Sequence, residues 1–245
     1  MKRKILLTML LTAGASCFAA GSQPDWGYEG EARPENWGQI SPEFMICEIG
    51  KNQSPVNIQG ALKADHDALD LSFKPGRQEI INNGHTIQVN TSGANTLQLD
   101  GKAFVLQQFH FHAPSENKIN NQQFPLEAHF VYKNDEGALA VLALMFNAGQ
   151  HNTLLEQVWQ HMPADIGHSA WLSQALDIEG LLPDQREFYR FSGSLTTPPC
   201  TEGVRWLVLK QPVSVSADQV AQFSDVMKQA NNRPVQPLNG RIIID

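Results

Sequence analysis

The chain has 245 residues, 42% of them hydrophobic, and a formal net charge of −7, an acidic balance that argues against nucleic acid as a partner. Its length fits one or two domains, and mainly β units commonly reach this size as a single one. No linker-like tract, repeat or low-complexity run divides it.

Residues 1–19 read as a secretory signal peptide. Met1-Lys2-Arg3-Lys4 precedes an apolar run from Ile5 to Leu11, followed by small residues through Ala20. Residues 20–245 are then one mature domain, and losing Lys2, Arg3 and Lys4 makes it three charges more negative. The apolar run is well short of the ~20 residues of a membrane-spanning helix, and no later run approaches that length, so no membrane span and a periplasmic location are expected. Cys17 falls in the leader, and Gly14, three residues before it, is not the leucine of a lipidation signal. Cys47 and Cys200 remain, and an oxidising compartment favours a disulfide between them over two buried free thiols. Such a bridge closes a loop of roughly 150 residues, worth at most on the order of 5 kcal/mol in the chain-entropy picture. It would also fasten the loop of Thr196 and Thr197.

Residues 23–59, rich in Gly, Pro, Asn and Trp without a sustained period, predict an irregular but packed segment. Short strands are expected at 69–73, 79–81, 86–90, 96–99, 103–112, 126–132 and 139–146, separated by turn signals such as Asn82-Asn83-Gly84, Asp100-Gly101 and Asn134-Asp135-Glu136-Gly137. Leu154, Leu155, Val158, Trp159 and Met162 fall at helical spacing, as do Val220, Phe223 and Met227 after a Ser216 cap. The fold class is mainly β, with a mostly antiparallel sheet and short helices.

Three segments carry chemistry: His110-Phe111-His112, Glu127-Ala128-His129 and Ser194-Leu195-Thr196-Thr197-Pro198-Pro199. Strand alternation places Phe104, Leu106, Gln108, His110 and His112 on one face and Val105, Phe109 and Phe111 on the other. Glu127, His129 and Val131 likewise share a face. If the two strands are neighbours, three neutral imidazoles fill three corners of a tetrahedron around Zn2+ and leave the fourth open, the arrangement of a catalytic site. Gln108 and Glu127 are then natural acceptors for the rings' other N–H groups.

Together these segments resemble the α class of carbonic anhydrases, bacterial branch. The resemblance extends from Asn52-Gln53-Ser54-Pro55-Val56-Asn57-Ile58 to Glu202-Gly203-Val204-Arg205-Trp206 and Arg233-Pro234-Val235-Gln236-Pro237-Leu238. It implies a twisted central sheet with zinc at the bottom of a conical cleft, and a homodimer is compatible with it. It assigns His110, His112 and His129 as zinc ligands, supported by Gln108, Glu127 and the Asn231 carbonyl. His85 matches the proton shuttle, Thr196 the gatekeeper, Glu116 its carboxylate partner and Thr197 a substrate contact. Val131, Val141, Leu195 and Trp206 match an apolar wall for carbon dioxide, and Cys47 with Cys200 matches a bacterial disulfide. The short Ala113-Pro114-Ser115-Glu116 loop departs from animal members.

The activity implied is zinc-dependent, reversible hydration of carbon dioxide to bicarbonate and a proton, by zinc-hydroxide attack and then proton shuttling to buffer. Zinc brings the pKa of its water into the neutral range, carbonic anhydrase being itself the reference case. An ionised Glu116 can only accept, so Thr196 must donate to it and turn its own oxygen towards the nucleophile. Two rivals remain open. A noncatalytic carbonic-anhydrase-like binding module lacks a ligand histidine, whereas all three are present. A cupin-type metalloenzyme would use Glu116 as a ligand, but its second motif asks for Asn where Lys133 stands.

Overall fold

The computed structural model describes residues 25–92 and 95–245, so the segment read as a signal peptide lies outside them. Among the described residues no helix is long and apolar enough to cross a membrane. In chain order the strands are β1 (Asn57–Ile58), β2 (Asp70–Ser72), β3 (Gln78–Asn82), β4 (Ile87–Thr91), β5 (Thr96–Leu99), β6 (Lys102–His112), β7 (Lys118–Ile119), β8 (Leu126–Lys133), β9 (Leu139–Ala148), β10 (Ser169–Trp171), β11 (Phe188–Ser194), β12 (Glu202–Leu209) and β13 (Val213–Val215). The α-helices are α1 (Trp37–Ile40), α2 (Ile46–Ile49), α3 (Thr153–Trp159) and α4 (Ala217–Met227). The irregular N-terminal stretch is a chain of short helical turns around the buried Trp37 and Phe44.

Eleven strands form one sheet in the order β10-β3-β4-β6-β8-β9-β12-β11. On its outer side β6 pairs with β4 at one end and β5 at the other, and β2 pairs with β5. On its outer side β9 pairs with β12 and then β13, both parallel to it, while the other pairs within this sheet are antiparallel. The central strands are buried on both faces, which explains why residues 139–146 read as an unbroken apolar run instead of an alternating one. One face packs Leu126, Ala128, Phe130 and Tyr132 against Trp159 of α3 and Phe223 of α4. The opposite face packs Val141, Ala143, Met145, Trp206 and Val208 against Val56, Ile58 and Phe124.

Both longer helices start on a side-chain cap. Ser216 accepts from the Gln219 N–H in a reciprocal capping box, and Asn152 accepts from Leu154 and Leu155. Gln219 also bonds both backbone groups of Asn152, tying the two helix starts together.

Strict alternation fails within β6. Its register against β8 shifts between Leu106 and Gln108, leaving Gln107 as the extra residue of a bulge. Phe104 and Leu106 therefore lie with Phe109 and Phe111 in the helix-side core, not beside the histidines as alternation placed them. The faces of His110, His112, Glu127, His129 and Val131 are as expected, because this half of the strand lies beyond the bulge.

Cys47 of α2 and Cys200 form the disulfide, with both sulfurs in a small core beside Trp37 and Phe44. The Cys200 N–H donates to the Thr197 carbonyl at 2.8 Å, so the bridge holds the Thr196-Thr197 loop to the N-terminal segment.

Candidate metal centre

Adjacent, antiparallel β6 and β8 set His110 directly opposite His129, and His112 opposite Glu127. The three imidazoles converge from there: ring centroids are 5.0 Å apart for His110 and His112, 5.4 Å for His110 and His129, and 4.6 Å for His112 and His129. One nitrogen from each ring lies within 4.8 Å of the others.

Each ring's second nitrogen is committed. His110 Nδ1 lies 2.8 Å from Gln108 Oε1, His112 Nδ1 2.7 Å from the Asn231 carbonyl, and His129 Nε2 2.8 Å from Glu127 Oε1. With these as N–H donors, lone pairs are left on Nε2 of His110, Nε2 of His112 and Nδ1 of His129. Burial lowers the pKa of all three rings, and His110 is held down further by its two neighbours. Each of these shifts favours neutral imidazole, the ligating form.

Glu127 is fully buried and accepts four hydrogen bonds: from His129 and the Asn117 side chain on Oε1, and from the Glu116 and Asn117 main-chain N–H groups on Oε2. Burial pushes its pKa up, opposed by Asn117, His112 and the two amides. Four donors and no acceptor mark it as a carboxylate.

The strongest sign that the cluster suits a cation is a pair of orphans. His112 Nε2 and Glu116 Oε2 are buried without a hydrogen-bond partner. Glu116 Oε2 lies 3.5 Å from His112 Nε2 and 3.8 Å from His129 Nδ1. Buried polar atoms without partners are costly, and a positive ion at the focus of the rings, carrying its own donor group, resolves both. Three imidazole nitrogens suit zinc.

Glu116 Oε1 accepts the Arg233 N–H at 2.8 Å. Burial raises its carboxyl well above the usual range, against the pull of that amide and of the Thr196 hydroxyl. Thr196 is buried and close enough to act on Glu116, but its hydroxyl makes no well-formed hydrogen bond to the orphaned oxygen. Val131, Val141, Leu195 and Trp206 belong to one apolar cluster, with the Trp206 ring 4.9 Å from that of His129. The cluster therefore reaches the histidines through Trp206. Thr197 follows Thr196 into the disulfide-held loop.

His85 stands apart, on the turn joining β3 to β4, with its ring stacked on Trp26 at 3.7 Å and 7° between planes. Burial lowers its pKa and Asp25 acts to raise it. Asn231 joins the two regions: its carbonyl holds His112 while its side-chain amide donates to the His85 carbonyl at 3.1 Å. His66, His151 and His168 are exposed and outside the cluster.

Sequence reasoning missed Asn117, Trp26 and Arg233. Arg233 is a buried cation that bonds Gln53, Ser54 and Cys47, its pKa lowered to about 10 by burial, still charged at neutral pH. Asn117 stands next to Glu116, and Arg233 heads a segment that carries the resemblance without a role of its own assigned to it.

Comparison with known proteins agrees with this geometry. Residues 32–245 match the family model described as eukaryotic-type carbonic anhydrase. The chain is 58% identical to a carbonic anhydrase of Pectobacterium atrosepticum over 246 residues, covering all of both chains, and 46% identical to one of Neisseria gonorrhoeae, covering 98% and 96%. The solved α-carbonic anhydrase of Thermovibrio ammonificans, in complex with the inhibitor sulfanilamide, superposes with a TM-score of 0.90 at 47% identity, covering 91% of this chain and 100% of that one. The eleven-stranded sheet and the family match leave no place for a cupin. The chain belongs to the carbonic anhydrase family, as a bacterial-type member of its α class.

Proposed function

We propose that this protein is a periplasmic zinc enzyme that interconverts carbon dioxide and water with bicarbonate and a proton. The observation that carries the reading is the convergence of three imidazoles, each with its second nitrogen tied, beside an orphaned carboxylate oxygen. His110, His112 and His129 hold the ion. When bound, zinc supplies the Lewis acidity that makes water a sufficient acid at neutral pH.

The chain's own residues do the rest. With a cation held by the three rings to favour its ionised form against the push of burial, Glu116 would accept from the Thr196 hydroxyl, which leaves the threonine oxygen as an acceptor aimed at the reaction centre. The Thr196 main-chain N–H stabilises charge developing on the product oxygen. Val131, Val141, Leu195 and Trp206 offer carbon dioxide an apolar surface that does not compete for the metal, with Thr197 at its edge. His85 takes up the released proton through water and passes it to buffer, a task suited to a side chain that titrates near neutrality.

Stopped-flow carbon dioxide hydration by the zinc-loaded protein tests the reading. Activity in wild type and none in His110→Ala supports it; equal rates in both would remove the metal from the mechanism.

A further inference from the structure

The turn that carries His85 is held by its own bonds and by a second segment. Asn82, buried at its base, makes four hydrogen bonds to the segment 163–168: its N–H donates to the His168 carbonyl at 3.1 Å, its carbonyl accepts from Gly167 at 2.7 Å, and its side-chain amide donates to the Pro163 and Ala164 carbonyls at 3.2 and 3.4 Å. The remaining side-chain oxygen accepts the Gly84 N–H at 3.0 Å. Asn83 then accepts from the N–H groups of His85 and Thr86. One buried amide thus joins the 163–168 segment to the residue immediately before His85.

The same segment closes on the turn from outside. Gly84 has φ +86°, and a Cβ built there would lie 3.1 Å from Ile166 Cγ2, tighter than ordinary van der Waals contact. Ile166 therefore rests on the glycine face while standing 72% exposed. The β3–β4 turn is held between Asn82 beneath and Ile166 above. His85 leaves it towards Trp26 and stacks on that ring.

We infer that the 163–168 segment aims His85, with Ile166 as a positioning residue for proton export from the metal centre. This rests on the reading of His85 as the proton acceptor. The physical reason is distance: proton transfer through a short water chain tolerates little displacement of the acceptor, and a misplacement of ~1 Å costs up to 100-fold in a positioned reaction. Ile166 is neither a proposed metal ligand nor part of the apolar cluster beside it, and its exposure makes truncation compatible with folding.

The test uses zinc-loaded wild type, Ile166→Ala, the conservative Ile166→Val and His85→Ala. Stopped-flow hydration separates kcat at low buffer, which contains proton export, from kcat/KM, which does not. Ring resonances of His85, shifted by the Trp26 ring current, report its orientation by NMR. Ile166→Ala is expected to lose about three- to tenfold in low-buffer kcat with kcat/KM unmoved, to recover with added imidazole, and to shift the His85 resonances; Ile166→Val keeps most of the wild-type behaviour.

Wild-type values in Ile166→Ala beside a loss in His85→Ala would overturn the aiming role and leave the shuttle standing. A parallel fall in kcat and kcat/KM would also overturn it, as general damage. If His85→Ala itself loses nothing, the shuttle reading fails, and the aiming of the ring is then decided by the His85 resonances alone: moved in Ile166→Ala, it stands; unmoved, it falls.

Discussion

Replacing Glu127 with glutamine changes one oxygen to an NH2 group and should damage both stability and metal binding. The carboxylate now accepts four hydrogen bonds of 2.7 to 2.8 Å with no solvent access. A glutamine keeps one acceptor and turns a donor towards two of the four N–H groups. Asn117 cannot relieve the conflict by rotating its amide, because its oxygen already accepts the Val56 N–H at 3.0 Å. At ~1–3 kcal/mol for each orphaned buried donor, the loss is about 2–6 kcal/mol, against a total stability on the order of 5–15 kcal/mol. With the oxygen facing the two main-chain amides, His129 Nε2 loses its acceptor and the tautomer that frees Nδ1 is no longer held. Such supports are worth ~10–100-fold in metal affinity. Urea unfolding of the metal-free protein and zinc competition against a chelator measure the two effects. A Glu127→Gln protein with wild-type unfolding midpoint and wild-type zinc affinity would refute the reasoning.

Further predictions concern the shuttle and the disulfide. In His85→Ala, low-buffer turnover should fall and added imidazole should restore it; turnover that stays at the wild-type level removes His85 from the proton path. Asp25 favours the charged form of His85 while burial opposes it, so Asp25→Asn should move the His85 pKa further below the usual imidazole value in an NMR titration, and a rise would show that another charge governs this ring. Replacing Cys47 and Cys200 with serine releases a link spanning 153 positions. The expected loss is up to ~5 kcal/mol in urea unfolding, with hydration activity falling alongside as the Thr196-Thr197 loop loosens; unchanged midpoint and activity would show that the loop is held by its other contacts.

The metal ligands were legible because they depend on local rules. Two-residue spacing on a strand puts His110 with His112 and Glu127 with His129, and antiparallel pairing of consecutive long strands brings the pairs together. The bulge at Gln107 was harder to see. Alternation fails where Leu106 and Phe109 enclose two glutamines, a pattern that signals an extra residue only once Leu106 has to meet Tyr132 across β8. The edge strand β11 and its neighbour β12 were not read as strands, although Ser194 and Glu202–Trp206 were read as motif, and the parallel pairing of β12 with β9 is a property of the whole sheet. Trp26, Arg233 and the clamp of Asn82 on residues 163–168 join positions far apart in the chain, so no local pattern announces them. The ionisation of Glu116 is likewise tertiary: burial raises its carboxyl, and the groups that oppose this come from distant segments.

Zinc X-ray absorption of the purified protein tests the central claim most directly. The account predicts one zinc per chain with three imidazole nitrogens at about 2.0–2.1 Å and a single light-atom ligand completing the shell, falling to substoichiometric zinc in His110→Ala. A spectrum requiring fewer than three imidazoles, or a carboxylate in the shell, would contradict it.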